Sequence, residues 1–306
     1  MCRQRVRLRS IATMPVAASN GIQIYYETHG DPTHPALLLV NGLGSQLTNW
    51  GEGYRETLAA RGRFVISFDN RDVGLSTHLD GVAVDLAGVI GAGRDDNPMP
   101  SVPYLLPTMA ADAVGLLDHL DIACAHIAGS SMGGMIVQQM AIDFPARVRT
   151  MTSVMSTTGE PAYFKSTPGA DASLNRAVPR EREAYIADGV MRAKVISSPR
   201  YFDAQESGKK VAIAFDRAFD PVGRFRQIAA IRASGHRADA LRALTIPTLV
   251  IHGRGDPLIL PSGGERTAEV TPGANLLLLN DMAHDLPRPL WPIIHDAIIS
   301  HTTHAI

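Results

Sequence analysis

Short apolar runs recur along this chain: ALLLV at 36–40, FVISF at 64–68, PTLVI at 247–251 and ANLLLL at 274–279. A strand with one face in water alternates apolar and polar side chains, whereas a strand covered on both faces reads as a continuous apolar run. Runs of this length, separated by stretches with helical patterning, read as βα units feeding a mostly parallel sheet. Further strands are expected at 22–28, at 123–128 and at 148–154. Helices are expected at 48–61, at 108–119 with Thr108 as cap, at 132–144 where Pro145 stops it, and at 289–300. Residues 81–107 hold Pro98, Pro100, Pro103 and Pro107 and read as an irregular loop.

Beyond residue 158 the strand rhythm stops until about 243. Segments 180–193 and 225–233 look helical and amphipathic, so 159–242 reads as a helical cap inserted into a core made of 20–158 and 243–306. Residues 1–19, with Arg3, Arg5, Arg7, Arg9 and a breaking Pro15, read as a flexible N-terminal extension and a poor secretory segment. No apolar run is long enough to span a bilayer. A formal net charge of −1 gives no global basic field for nucleic acid or an anionic membrane. The expectation is a cytoplasmic protein with a small-molecule substrate, no nucleic-acid partner and no stable membrane insertion; a homo-oligomer stays open.

The motif with most chemical content is Gly129-Ser130-Ser131-Met132-Gly133, which fits G-x-S-x-G between an apolar strand and a helical run. A sharp strand-to-helix turn lifts the central hydroxyl above the sheet edge, and the residues two before and two after must then be small. Gly129 and Gly133 meet this for Ser131. Ser130 fails, because Ala128 and Met132 flank it. A serine hydroxyl needs a base to take its proton. The strand ending at Ile251 leads to Asp256, and the strand ending near Leu279 leads to His284. Three matched residues thus follow in order on three strand ends: Ser131 as nucleophile, Asp256 as orienting acid, His284 as general base. Asp281 and Asp285 adjoin His284 too closely to serve its ring, and His252 reads as support beneath the Asp256 loop. Asn41-Gly42-Leu43-Gly44-Ser45 follows another strand, and Gly42 lets the loop turn tightly. The N–H groups of Leu43 and Met132 are the expected oxyanion donors.

At these residues the chain resembles the α/β-hydrolase superfamily from about residue 20 onward. Asp69-Asn70-Arg71-Asp72-Val73-Gly74-Leu75-Ser76 looks like its D-x-R-G-x-G-x-S turn, with Asp72 in place of the usual glycine. Segments 217–223, 226–230 and 282–287 look like the bacterial carboxylesterase and aclacinomycin methylesterase-like branch. The resemblance implies an α/β-hydrolase fold: a mostly parallel eight-stranded sheet flanked by helices, with an inserted helical cap. It also implies cofactor-free hydrolysis of small or medium acyl esters or methyl esters through an acyl-enzyme. Two departures are Asn41, where many relatives carry histidine, and Ala283, often glycine.

Thioesterase, lactonase, carbon–carbon hydrolase and perhydrolase chemistries share the same triad, and a non-catalytic binding protein of this fold is the remote alternative. Gly91-Ala92-Gly93 lacks the third glycine and the following helix of a dinucleotide fingerprint. No metal site is expected: there is no H-E-x-x-H, Cys2 and Cys124 fall in no zinc spacing, and His295, His301 and His304 read as a solvated tail.

Overall fold

The computed structural model describes residues 15–92 and 98–304. Its strands are β1 (Val16–Ser19), β2 (Ile22–His29), β3 (Ala36–Val40), β4 (Phe64–Phe68), β5 (Ala125–Ser130), β6 (Val148–Val154), β7 (Thr248–Gly253) and β8 (Asn275–Leu279). They form one eight-stranded sheet in the order β1-β2-β4-β3-β5-β6-β7-β8. The pairs β1–β2 and β2–β4 are antiparallel, and every other neighbouring pair is parallel. The C-terminal ends of β3 to β8 therefore share one edge, where loops gather in open α/β sheets.

β3 shows why the runs are continuous. Ala36, Leu38 and Val40 join an apolar cluster on one face of the sheet, while Leu37 and Leu39 join a second cluster on the other. Each fully buried leucine stabilises the fold by about 1.5–3 kcal/mol. One face is covered by α3 (Leu106–His119) and α4 (Met132–Asp143), the other by α1 (Tyr54–Ala60) and α11 (Trp291–His304).

The remaining helices are α2 (Leu86–Gly91), α5 (Pro168–Asn175), α6 (Arg182–Ile196), α7 (Ala204–Arg217), α8 (Gly223–Ala233), α9 (Ala238–Leu241) and α10 (Pro261–Val270). Helices α5 to α9 all lie between β6 and β7, and residues 159–242 hold no strand. Ala238 and Leu241 of α9 sit in the main apolar cluster.

Several expectations need correcting. Residues 16–19, expected in a flexible extension, form strand β1, because Ala17 is buried and the strand pairs with β2. Residues 1–14 lie outside the described residues. The helix expected at 48–61 is a 3₁₀ turn (Leu47–Trp50) followed by α1, broken where Gly51 and Gly53 take left-handed φ. Within the expected loop 81–107, α2 forms because the Asp85 carboxylate accepts from Gly88 N. Thr108 is not the cap of α3. That helix starts at Leu106 with Pro107 in its first turn, where a missing N–H costs nothing. His295 and His301 are not on a solvated tail. His295 is buried in α11 against Tyr54, ring centroids 4.4 Å apart, and desolvation pulls its pKa down to about 4. His301 Nε2 lies 3.2 Å from Met151 O.

Candidate active site

β5 ends at Ser130 and α4 begins at Met132, so Ser131 alone makes the turn, with φ 56° and ψ −119°. Such a backbone costs on the order of 1–3 kcal/mol and persists only when its surroundings enforce it. Here Ser131 N donates to Val154 O at 2.9 Å, and Ser131 O accepts from Ser156 Oγ at 2.8 Å. The flanking glycines are sterically required. A Cβ on Gly129 would lie 2.1 Å from Gly133 O, and one on Gly133 would lie 2.1 Å from Val40 O. The N-terminal end of α4, with its partial positive charge, points at this turn.

The loop after β7 delivers Asp256, whose carboxylate is fully buried. Its Oδ1 accepts from Leu258 N and Ile259 N, each at 2.9 Å. Its Oδ2 lies 2.7 Å from His284 Nδ1 and 3.3 Å from His252 Nε2. Burial opposes the charge, but the His284 and His252 imidazoles outweigh it and hold the pKa down to about 2. The carboxylate is therefore ionised at neutral pH.

The loop after β8 delivers His284. Its backbone N donates to Ile196 O at 2.9 Å, so the end of α6 holds it in place. An ionised Asp256 can only accept, so Nδ1 carries the proton and donates to it. Nε2 is then left to accept from the Ser131 hydroxyl, 2.9 Å away. Hydroxyl, imidazole and carboxylate form one hydrogen-bonded row. Chemically, such a row can draw the proton from a serine as its oxygen attacks a carbonyl.

The loop after β3 passes beside the same hydroxyl. A Cβ on Gly42 would lie 3.2 Å from Ser131 Cβ and 3.7 Å from its Oγ. Ser45 N donates to Gly42 O, closing a tight turn around Leu43. Gly42 thus borders the hydroxyl on one side, with Leu43 next to it in the chain. Met132 heads α4 on the other, where the first N–H groups of a helix have no partner within it.

The alternative residues are occupied elsewhere. Asp281 pairs with Arg200 at 2.7 Å, and Asp285 accepts from Ala283 N at 3.3 Å. His252, fully buried, has Nε2 2.9 Å from Ile259 O, beneath the loop that holds Asp256.

Sequence reading missed what braces the β3 loop. Gln227 of α8 accepts from Gly44 N, Asp69 accepts from Leu47 N, and Gln46 donates to Ala214 O and Ala218 O at the end of α7. The Asp69–Ser76 turn and the Arg226-Gln227 pair were both visible as motifs, but nothing in either motif says that they meet. Asp72 takes φ +66°, which explains the usual glycine there. Its carboxylate pairs with Arg226 at 2.7 Å and accepts from Tyr104 Oη at 2.7 Å. Asp72, His78 and Asp220 place ligand-type atoms within 4.8 Å of one another. Arg226, 2.7 Å from Asp72 and 3.5 Å from Asp220, already supplies positive charge there.

Residues 35–194 match the family model described as the alpha/beta hydrolase fold. That is more than half of the chain, and the chain belongs to this family. It is similar to rhodomycin D methylesterase of Streptomyces peucetius, 26% identical over 303 residues, covering 92% of this chain and 95% of the relative. It is also similar to 3-oxoadipate enol-lactonase 2 of Acinetobacter baylyi, 26% identical over 256 residues, covering 81% of each. Among solved structures, the enol-lactonase of Burkholderia xenovorans superposes with a TM-score of 0.72 at 22% identity, covering 95% of this chain and 100% of that one. Among the described residues, no helix is long and apolar enough to cross a membrane.

Proposed function

We propose that this protein is a serine hydrolase of carboxylic esters, with Ser131 as nucleophile, His284 as general base and Asp256 as orienting acid. The observation that carries the proposal is the hydrogen-bonded row: Ser131 Oγ to His284 Nε2 at 2.9 Å, His284 Nδ1 to Asp256 Oδ2 at 2.7 Å. The similarity to a methylesterase and an enol-lactonase supports the ester class.

Ser131 Oγ attacks the ester carbonyl as His284 Nε2 takes its proton, and Asp256 stabilises the imidazolium. The negative charge on the tetrahedral oxygen is met by the N–H groups of Leu43 and Met132; one such donor contributes on the order of 3 kcal/mol to barrier lowering. His284 returns the proton to the leaving alcohol, which departs and leaves an acyl-enzyme. Water, deprotonated by His284, attacks the acyl carbon. The acid leaves and Ser131 recovers its proton. No step calls on a cofactor.

The insertion 159–242 acts as a cap over this site. Its α6 accepts from His284 N, and its α8 reaches Gly44. Small or medium acyl esters and methyl esters are the substrates this reading favours. A serine-directed fluorophosphonate should label the folded protein at Ser131, and Ser131→Ala should abolish both labelling and turnover of p-nitrophenyl esters. A Ser131→Ala variant that keeps wild-type turnover would sink the proposal. A panel of esters of rising acyl length beside a thioester and a lactone reads out which variant of the chemistry dominates.

A further inference from the structure

The loop that borders the Ser131 hydroxyl is held from the insertion as well as from the core. Gln227 is fully buried on α8. Its Oε1 accepts from Gly44 N at 2.8 Å, and its Nε2 donates to Arg71 O at 2.8 Å. Both partners are backbone groups of fixed polarity, so the amide orientation is determined: an acceptor must face Gly44 and a donor must face Arg71. A primary amide of this length offers both without a change of protonation. Arg226, the preceding residue, is clamped on Asp72 through two bonds of 2.9 and 2.7 Å. The side chain therefore starts from an anchored backbone and not from a free helix. Gly44 follows Leu43, and its left-handed φ of 64° closes the turn that presents the Leu43 N–H.

We infer that Gln227 is a positioning residue: through Gly44 it fixes the orientation of the Leu43 N–H toward the developing oxyanion. The inserted helices then set the electrostatics of the site as well as its walls. The inference rests on the serine-hydrolase reading above. A donor that is misaimed stabilises the transition state less while leaving ground-state binding nearly intact.

The test uses the full chain and the p-nitrophenyl ester that it turns over fastest. Gln227→Met keeps the length and removes both hydrogen bonds; Gln227→Glu keeps an acceptor for Gly44. Gln227→Met should lower kcat by about ten- to a hundredfold, with KM within about threefold of wild type. Inhibition by a trifluoromethyl ketone, whose serine adduct carries an oxyanion, should weaken in proportion to kcat/KM. Gln227→Glu should recover kcat to within about tenfold of wild type. A Gln227→Met enzyme with wild-type kcat, or one that loses only KM while ketone inhibition is unchanged, overturns the inference. If Gln227→Met does not fold, amide hydrogen exchange on the wild type decides: a protected Gly44 N–H supports the inference, and one exchanging like an exposed amide overturns it. Ser131→Ala separates the two levels. Wild-type turnover in Ser131→Ala sinks the serine reading and this inference together. An inactive Ser131→Ala beside an unaffected Gln227→Met sinks this inference alone.

Discussion

The turn at Ser131 and the seat of α8 are built by opposite means. Around Ser131 the chain is pinned by the absence of side chains: any Cβ at Gly129 or Gly133 would meet backbone at 2.1 Å. Under α8 it is pinned by charge: Arg226 on Asp72 at 2.7 Å, and nearby Arg217 on Asp69 at 2.7 Å, with Asp72 and Asp69 fully buried. The first device is local and steric, and it leaves a fixed spacing of five residues in the sequence. The second joins residues some 150 positions apart and leaves no spacing at all. A steric device tolerates nothing larger but needs no partner. An ionic device fails when either partner is lost, because the survivor is a buried, unpaired charge.

This contrast can be broken by removing one side of the ionic device. Arg226→Met should destabilise the protein by about 3–5 kcal/mol in urea unfolding, since it strands Asp72 in the interior. Asn tolerates left-handed φ, so adding Asp72→Asn to that variant should restore a good part of the loss. A loss under about 1 kcal/mol in the single variant would mean that α8 is seated by packing and not by charge.

A weaker ionic contact sharpens the same point. His78 Nδ1 lies 2.7 Å from Asp220 Oδ2, and its Nε2 lies 2.9 Å from Gly74 O. Burial lowers its pKa, but the Gly74 carbonyl and the Asp220 carboxylate outweigh this, so the net shift is upward from 6.5. A raised folded-state pKa gives stability that is fully present below the unfolded value and lost as pH rises through the folded one. The Tm difference between wild type and His78→Gln should therefore be largest below about pH 6.5 and shrink at alkaline pH. Because the pair is partly exposed, it contributes under about 1 kcal/mol. A difference that grows with pH would contradict the assigned charge state.

The same division explains what could be read from the sequence. β3 and β4 fall where the apolar runs put them, because burial on both faces writes itself into consecutive residues. That Ser131, His284 and Asp256 would meet was legible because each follows a strand, and parallel strands bring their ends to one edge. Strand β1 was hidden, since four residues with one buried face carry little pattern. Helix α2 was hidden by the prolines downstream of it. Gln227, Asp72 and Arg226 were visible as motif letters, but their mutual contacts are tertiary and no periodicity encodes them.

In the proposed mechanism Asp256 holds the His284 imidazole in the tautomer that can accept the Ser131 proton. Asp256→Asn tests it most directly, because an amide would fit the same space and reverse the hydrogen-bond polarity toward Nδ1. Its kcat should fall about 10⁴-fold at neutral pH, with KM little changed and the fold intact. An Asp256→Asn enzyme that turns over esters at close to the wild-type rate would contradict it.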